Sequence, residues 1–496
     1  MSLIMYNNKI QLYKWEKKKK NTFFKSCKDL LDLKECQIYQ PYFSLYFHLH
    51  NTKGSHKLMD IKRRFFVNEV IEINKEKYHT SNVQVKCNVF DTKYQKIYQE
   101  NLFCKCVPLL DPLNYMMNNY NNFIHRNPLL PSCYSYNTFS KINTMDNSAY
   151  IDTFFSLITS EITLNNILPS FPIYYGSVNG IKKTFNYDIT DDYTNLRSEE
   201  WFYKNLGKTY SIDMYVSSDE EDDHEKSDDD QSNSDQSDDD QSDSEYYQSD
   251  DYISSLKNIP CQLFFIEKLE GTIEDLLTNN INELNIDLLL SCLFQVSFAL
   301  SYLQKHYQFT HNDLHINNVM YCRTEREFLY YKFNNIYFKV PTYGYIFKII
   351  DFGRAIFTYH NKLFFNDTFD KHNEAEGQYT LPFNKLLFKS KRKEEKIEPN
   401  YNFDLCRLSI TIIDTCRIDI DKDYKDKQYF IDFLSNLTLN KDNASLSKLN
   451  DNFDMYISIA KEANNALPKD IIQNFIFNKY RIKKKNFPKR LYYSLN

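Results

Sequence analysis

The chain has 496 residues, 42% of them hydrophobic, and a net charge of −5, so it has material for two or three compact, well-cored units. Between Ser217 and Asp251 there are 17 acids against one lysine; the rest carries 60 bases and 49 acids, a spread surplus that favours phosphate-bearing or acidic partners only weakly. Eleven scattered cysteines without a C-x-x-C pair argue against a disulfide framework or structural zinc site and fit a reducing compartment.

Residues 1–75 read as a basic-leaning extension. Its start, MSLIMYNNKIQLYKWEKKKK, lacks a signal-peptide apolar core, and KWEKKKK is expected to be a solvated or partner-binding tail. Next, VQVKCNVF (Val83 to Phe90) and FCKCVPLL (Phe103 to Leu110) alternate as strands do. YIDTFFSLITSEITLNNIL (Tyr150 to Leu168) predicts a helix stopped by Pro169. Residues 216–251, rich in Ser and Asp with a ten-residue repeat, cannot bury enough surface to offset their ordering entropy, which predicts a disordered insert. CQLFFIEKL (Cys261 to Leu269) reads as a buried strand. Leu289, Leu293, Val296, Leu300 and Leu303 then mark one face of a core helix. Ser291, Gln295 and Ser297 interrupt its apolar tract, which falls short of a bilayer span and predicts a soluble chain.

That helix delivers FTHNDLHINNVMY (Phe309 to Tyr321), a polar cluster on a core-anchored loop followed by a strand, NVMYC. His311, Asp313 and Asn318 fit H-x-D-L-x-x-x-N. Thirty-three residues after Asn318, an apolar strand ends in Asp351-Phe352-Gly353. Together the two segments resemble the catalytic loop and the DFG segment of protein kinases. The resemblance implies a nucleotide triphosphate neutralised by Mg²⁺, for which a carboxylate from Asp351 and an amide oxygen from Asn318 are suitable hard donors. It also implies that Asp313 would orient an acceptor hydroxyl and take its proton late.

With YYKFNNIYFKVPTYGYIFKIIDFGRAIF and EPNYNFDLCRL, the chain from about residue 100 to 420 resembles the serine/threonine-protein kinases of nucleocytoplasmic large DNA viruses, the mimivirus-like group. The resemblance implies an α+β bilobal fold: a β-rich N-lobe over 76–266, interrupted by the acidic insert, a hinge at 267–271 and a helical C-lobe over 272–496. It implies ATP and Mg²⁺ as cofactors, protein serine or threonine as acceptor, no nucleic acid, and a host-cytoplasmic or virion location. Lys105 would hold the α- and β-phosphates, with Glu161 as its helical partner. Glu267 and Leu269 would offer backbone groups to adenine, Asn318 and Asp351 would ligate metal beside Gly353, and Asp404 would brace the catalytic loop.

The chain departs from that pattern. No glycine lies between Gly54 and Gly176, where a Gly-rich phosphate cradle belongs. Asn312 replaces an arginine that receives a phosphorylated activation loop in many kinases. His315 stands at a lysine position; as imidazolium it would face the transferred phosphate, with activity declining above about pH 6.5. No APE motif is evident, since Glu398-Pro399 lies close to Asp404. These departures keep two alternatives open: a pseudokinase scaffold, and a small-molecule phosphotransferase on the same fold. The acidic insert is a candidate pseudosubstrate.

Overall fold

A computed structural model describes residues 10–46, 59–74, 80–124, 129–133, 139–215, 251–278, 285–370, 373–380, 397–417, 428–448 and 452–495. The acidic segment expected to be a disordered insert lies outside these residues apart from Asp251. A seven-stranded sheet holds β1 (Leu33–Gln37), β2 (Phe65–Asn74), β3 (Val83–Asp91), β4 (Lys96–Pro108), β5 (Tyr174–Asp188), β6 (Tyr210–Tyr215) and β7 (Asp251–Glu267). Their order is β1-β5-β7-β4-β3-β2, with β6 also paired to β7, and every pairing is antiparallel. The strand expected from Cys261 begins at Asp251 instead: its polar first half is held by β5 and β6, support that no local apolar pattern announces.

Strand parity decides which side chains meet. Successive residues face opposite sides of a sheet. On β7, Cys261, Leu263 and Phe265 join a cluster with Phe23, Cys27 and Leu31 of α1 (Lys17–Leu31), while Phe264 joins the cluster of α2 (Ser148–Leu164). On β4, Leu102, Cys104 and Cys106 take the α1 side. Lys105 is therefore turned toward α2.

Residues expected to be an extension are built into this sheet. β1 pairs with β5, and Trp15 is buried with its indole N–H donating to Asp60 at 3.1 Å. The lysine run of KWEKKKK opens α1, whose Phe23, Cys27 and Leu31 recur every four residues as one buried face. All eleven cysteines are free.

The second half is organised by α3 (Ile286–Tyr307), which starts where Asn285 Oδ1 accepts the Leu288 N–H at 3.0 Å and stops at Gln308 in a left-handed conformation. By length and composition this helix could cross a membrane, but 94% of its apolar window is buried inside the protein, as in a core helix. Its polar interruptions are fasteners. Ser291 Oγ donates to Pro341 O at 2.6 Å, and Gln295 Oε1 accepts the Phe347 N–H at 3.1 Å. Around it lie β8 (Gly271–Thr272), β9 (Val319–Arg323), β10 (Phe328–Phe333), β11 (Ile336–Pro341) and β12 (Tyr345–Ile349). β8, β9 and β12 form one small sheet, and the β10–β11 hairpin forms another with the C-terminal strands Arg481–Ile482 and Tyr493–Leu495. The helices α4 (Phe403–Arg417), α5 (Gln428–Leu437) and α6 (Asn452–Glu462) follow, with α4 packed on both others. Helix and sheet are thus mixed, as expected.

Candidate active site

Lys105 extends its ammonium between two carboxylates, 2.7 Å from Asp152 Oδ2 and 2.8 Å from Asp351 Oδ1. Asp152 lies in the second turn of α2 and is buried, and its other oxygen accepts the Phe352 N–H at 3.0 Å. Burial works against the lysine's charge, but the two acids outweigh it and raise the Lys105 pKa. Burial likewise disfavours an ionised Asp351, yet Lys105 outweighs it and brings that carboxyl down to about 2. Asp152 moves the other way, raised by burial and by the like charge of Asp351 against the pull of Lys105.

The helical partner of Lys105 is Asp152, and the expected pairing with Glu161 does not form. Nine residues along an α-helix is about two and a half turns, which puts Glu161 on the opposite side of α2 from Asp152. There Glu161 Oε2 accepts from Asn165 Nδ2 at 3.4 Å, near Arg63 and Lys62. A sequence cue existed: Asp152 sits inside the apolar run YIDTFF, where a buried acid needs a cation, whereas Glu161 falls where the helix turns polar.

The loop after α3 is pinned from below by Asp404, in the first turn of α4. This fully buried carboxylate accepts the His311 N–H at 3.1 and 2.9 Å and the Asn312 N–H at 3.0 Å. His311 Nε2 lies 2.8 Å from Ile350 O, tying the loop to the strand that leads into Asp351. Asn312, at φ +66°, donates through Nδ2 to Arg354 O at 2.8 Å, and its Oδ1 accepts from the Tyr379 hydroxyl at 2.9 Å. The position expected to lack an activation-loop receptor therefore holds the following segment through a neutral amide.

Asp351 stands at φ +62°, a left-handed conformation that aspartate tolerates better than most residues. Phe352 fixes it from behind: the ring is buried with centroids 5.0 Å from Phe155, 6.1 Å from Phe309 and 5.8 Å from His311. The Gly353 N–H lies 3.4 Å from Asp351 Oδ1. Asn318 is within reach of the same place, because its carbonyl accepts the Ile350 N–H at 3.1 Å. Asn318 Nδ2 donates to Asp313 O at 2.9 Å and lies 3.0 Å from His315 Nε2, so Oδ1 is the ligating atom the amide retains. Asp313 Oδ1 accepts from the Tyr456 hydroxyl at 2.7 Å and lies 3.9 Å from Arg354 Nη1.

His315 does not meet the expectation of an imidazolium. Burial lowers its pKa below the ordinary value, with Arg407 adding to the effect and Asp313 opposing it. Its ring nitrogens face N–H groups, Asn317 N at 3.3 Å from Nδ1 and Asn318 Nδ2 at 3.0 Å from Nε2. A neutral imidazole can accept at one of these two nitrogens; protonation would leave neither able to accept.

At the far edge, the Glu267 N–H is committed to Ile173 O at 2.8 Å, and the Glu267 carboxylate binds Lys348 Nζ at 2.6 Å. The Glu267 amide thus cannot serve an incoming ring, whereas Leu269 has no backbone hydrogen bond among the described residues. The turn joining β2 to β3, where a glycine-rich cradle was sought, falls partly outside the described residues. Tyr456, Arg354 and the Lys348–Glu267 pair were not found from sequence. Their partners lie 143, 41 and 81 positions away.

Relatives point the same way as the geometry. A mimivirus protein (Acanthamoeba polyphaga mimivirus) whose name places it among serine/threonine-protein kinases is 30% identical over 131 residues, 22% of this chain and 33% of that protein. A Dictyostelium discoideum protein named likewise is 33% identical over 111 residues, 21% of this chain and 9% of its own length. The chain resembles protein kinases. An uncharacterized protein of Invertebrate iridescent virus 6 shares 46% identity over 67 residues, 13% of this chain and 11% of that one. The match spans about a third or less of each of these relatives. No protein-family model matches. Among solved structures, the ROP18 kinase domain in complex with AMP-PNP and sucrose aligns over 85% of this chain and 84% of its own, with a TM-score of 0.25 and 10% identity.

Proposed function

We propose that the chain is a protein kinase that transfers the γ-phosphoryl group of Mg-ATP to serine or threonine hydroxyls of proteins, with the seven-stranded sheet and the α3-centred half as its two lobes. The observation that carries this reading is the convergence of Lys105, Asp152 and Asp351 beside a loop presenting Asp313 and Asn318. In that reading Lys105 keeps its charge at any physiological pH and is available to phosphate oxygens. Asp152 holds the ammonium in place from α2. Asp313, on a loop clamped by Asp404, accepts the hydroxyl's proton, and positioning supplies most of the rate.

The donor set suits Mg²⁺. Asp351 is held ionised by Lys105, and Asn318 has Oδ1 to offer. Among the described residues no group of three His, Cys, Asp or Glu forms a cage of its own, which fits an ion that draws several ligands from phosphates and water. Bound there, Mg²⁺ would neutralise phosphate charge. Asn312 adds a regulatory consequence, since hydrogen bonds to Arg354 O and from Tyr379 order the segment after Gly353 without a phosphate.

The test is radiolabel transfer from ATP to generic protein substrates, with the modified residues mapped. Asp313→Asn and Asp351→Asn should each abolish labelling at an unchanged melting temperature. Labelling retained in either variant removes that residue from the reading. A wild-type chain that shows no Mg-ATP-dependent rise in melting temperature is a scaffold. One that consumes ATP with metabolites while labelling no protein acts on small molecules.

A further inference from the structure

Beside Asp313 opens a cleft of about 530 Å³, whose lining includes Glu274, His315, Arg354, Arg407, Phe453 and Tyr456. Asp313 itself lines it, so an acceptor entering the cleft would meet the carboxylate. Tyr456 belongs to α6, far along the chain, yet its hydroxyl donates to Asp313 Oδ1 at 2.7 Å. The ring is flanked by cations: the Arg407 guanidinium lies 4.9 Å and the Arg354 guanidinium 5.9 Å from its centroid. Arg354 is itself paired with Glu374.

Asp313 has two carboxylate oxygens. One takes the Tyr456 hydroxyl; the other accepts no hydrogen bond among the described residues. Without a partner, a half-exposed aspartate samples several χ angles, and the reactive geometry is one of them. A hydroxyl donor held by a packed aromatic ring selects a single orientation and leaves the second oxygen for an incoming alcohol. Hydrogen bonds to an ionised acceptor are the strong ones, and a neighbouring cation polarises the donor further.

We infer that Tyr456 is a positioning residue for phosphotransfer, its hydroxyl, backed by Arg407, fixing the Asp313 carboxylate so that the free oxygen faces the acceptor site. The inference rests on the phosphotransferase reading of the previous section.

Tyr456→Phe in the full chain removes the hydroxyl and keeps the ring against both arginines. The expected result is a kcat lower by roughly tenfold, with the KM for ATP unchanged and the melting temperature within a degree or two. Equal kcat in Tyr456→Phe and wild type overturns the inference, as does a fall in melting temperature that accounts for the whole loss. A rise in kcat, or a lower acceptor KM, would mark the hydroxyl as a competitor for the carboxylate and overturns it too. A wild-type chain that binds Mg-ATP and transfers nothing overturns the phosphotransfer reading first, and this inference with it.

Discussion

Two lysines connect the large sheet to the strand and turn that carry Asp351, and they are built differently. Lys348, on β12, is buried and meets one acid, Glu267 at the end of β7, which also accepts the Ile173 N–H at 3.0 Å. Charges balance there, and the pair is closed. Lys105, on β4, meets two acids, one buried in α2 and one partly open to solvent. One positive charge faces two negative ones. A closed pair holds two elements together; in the reading proposed above, a cluster short of one cation is a place for another to bind. A lysine among carboxylates thus gives a strut in one place and, in that reading, a site in the other, and the count of carboxylates separates them.

The largest effects should come from breaking each cluster in turn. Lys105→Met should lower phosphoryl transfer by about 10²–10³ in the molecules that remain folded, and should also cost stability, because the buried Asp152 keeps the Phe352 N–H but loses its cation. Lys348→Met should cost stability while sparing the activity. It leaves Glu267 half-buried without its cation and costs about 3–5 kcal/mol of unfolding free energy, with the activity of the folded fraction within a few-fold of wild type. Replacing both partners, Lys348→Met with Glu267→Leu, should recover most of that stability. Denaturant titration and initial-rate assays on the same preparations decide the matter. If Lys348→Met inactivates at constant stability, the strut is part of the site and the distinction fails.

What could be seen beforehand divides along similar lines. The loop from His311 to Asn318 and the Asp351-Phe352-Gly353 turn were legible because their chemistry requires particular groups at fixed spacing on contiguous backbone. Asp404 was legible through the resemblance of EPNYNFDLCRL, and its burial explains why it needs the backbone donors it finds. Strand alternation picked out Lys105, but not what it would touch: Asp152 is the shorter acid, earlier in the helix, and only three-dimensional packing separates it from Glu161. The sheet was underread for another reason. Residues 12–37 show four-residue apolar spacing in α1, yet four consecutive lysines in its first turn disguise it as a tail. Tyr456 leaves no local trace, because a contact across 143 positions is set by how α6 packs on α4.

A smaller effect asks whether His315 supplies the cation that the Lys105 cluster is short of. Burial and Arg407 hold its pKa below the ordinary value even with Asp313 and Asp351 pulling the other way. Transfer should therefore stay level from about pH 6.5 to 8, where an imidazolium-dependent enzyme would lose rate. The sign on the acid side follows from linkage. With the folded pKa below the unfolded one, the unfolded chain binds the proton first, so stability falls as pH drops from about 6.5 toward the folded value. Protonation also breaks the contact with Asn318 Nδ2, and rate falls with it. An imidazole titration followed by NMR beside the pH–rate profile checks both; a rate that declines on raising the pH through 6.5 would restore His315 as a cation.

The smallest effect belongs to Glu161, and it bears most directly on which acid completes the Lys105 cluster. If Glu161 shared that lysine, Glu161→Gln would mimic Lys105→Met. The structure instead has it on the other side of α2, lining a separate cleft of about 730 Å³ with Lys62, Arg63 and Lys93. Glutamine preserves the oxygen that accepts from Asn165 and removes only a charge that burial already disfavours. Stability should change by no more than about 0.5 kcal/mol and transfer by less than about twofold. Asp152→Asn, compared side by side, should cost roughly tenfold or more, since it withdraws a charge-assisted bond from Lys105 itself. A large loss in Glu161→Gln with none in Asp152→Asn would mean that α2 turns by half a revolution when nucleotide binds, and that the three-residue cluster seen here belongs to a resting state.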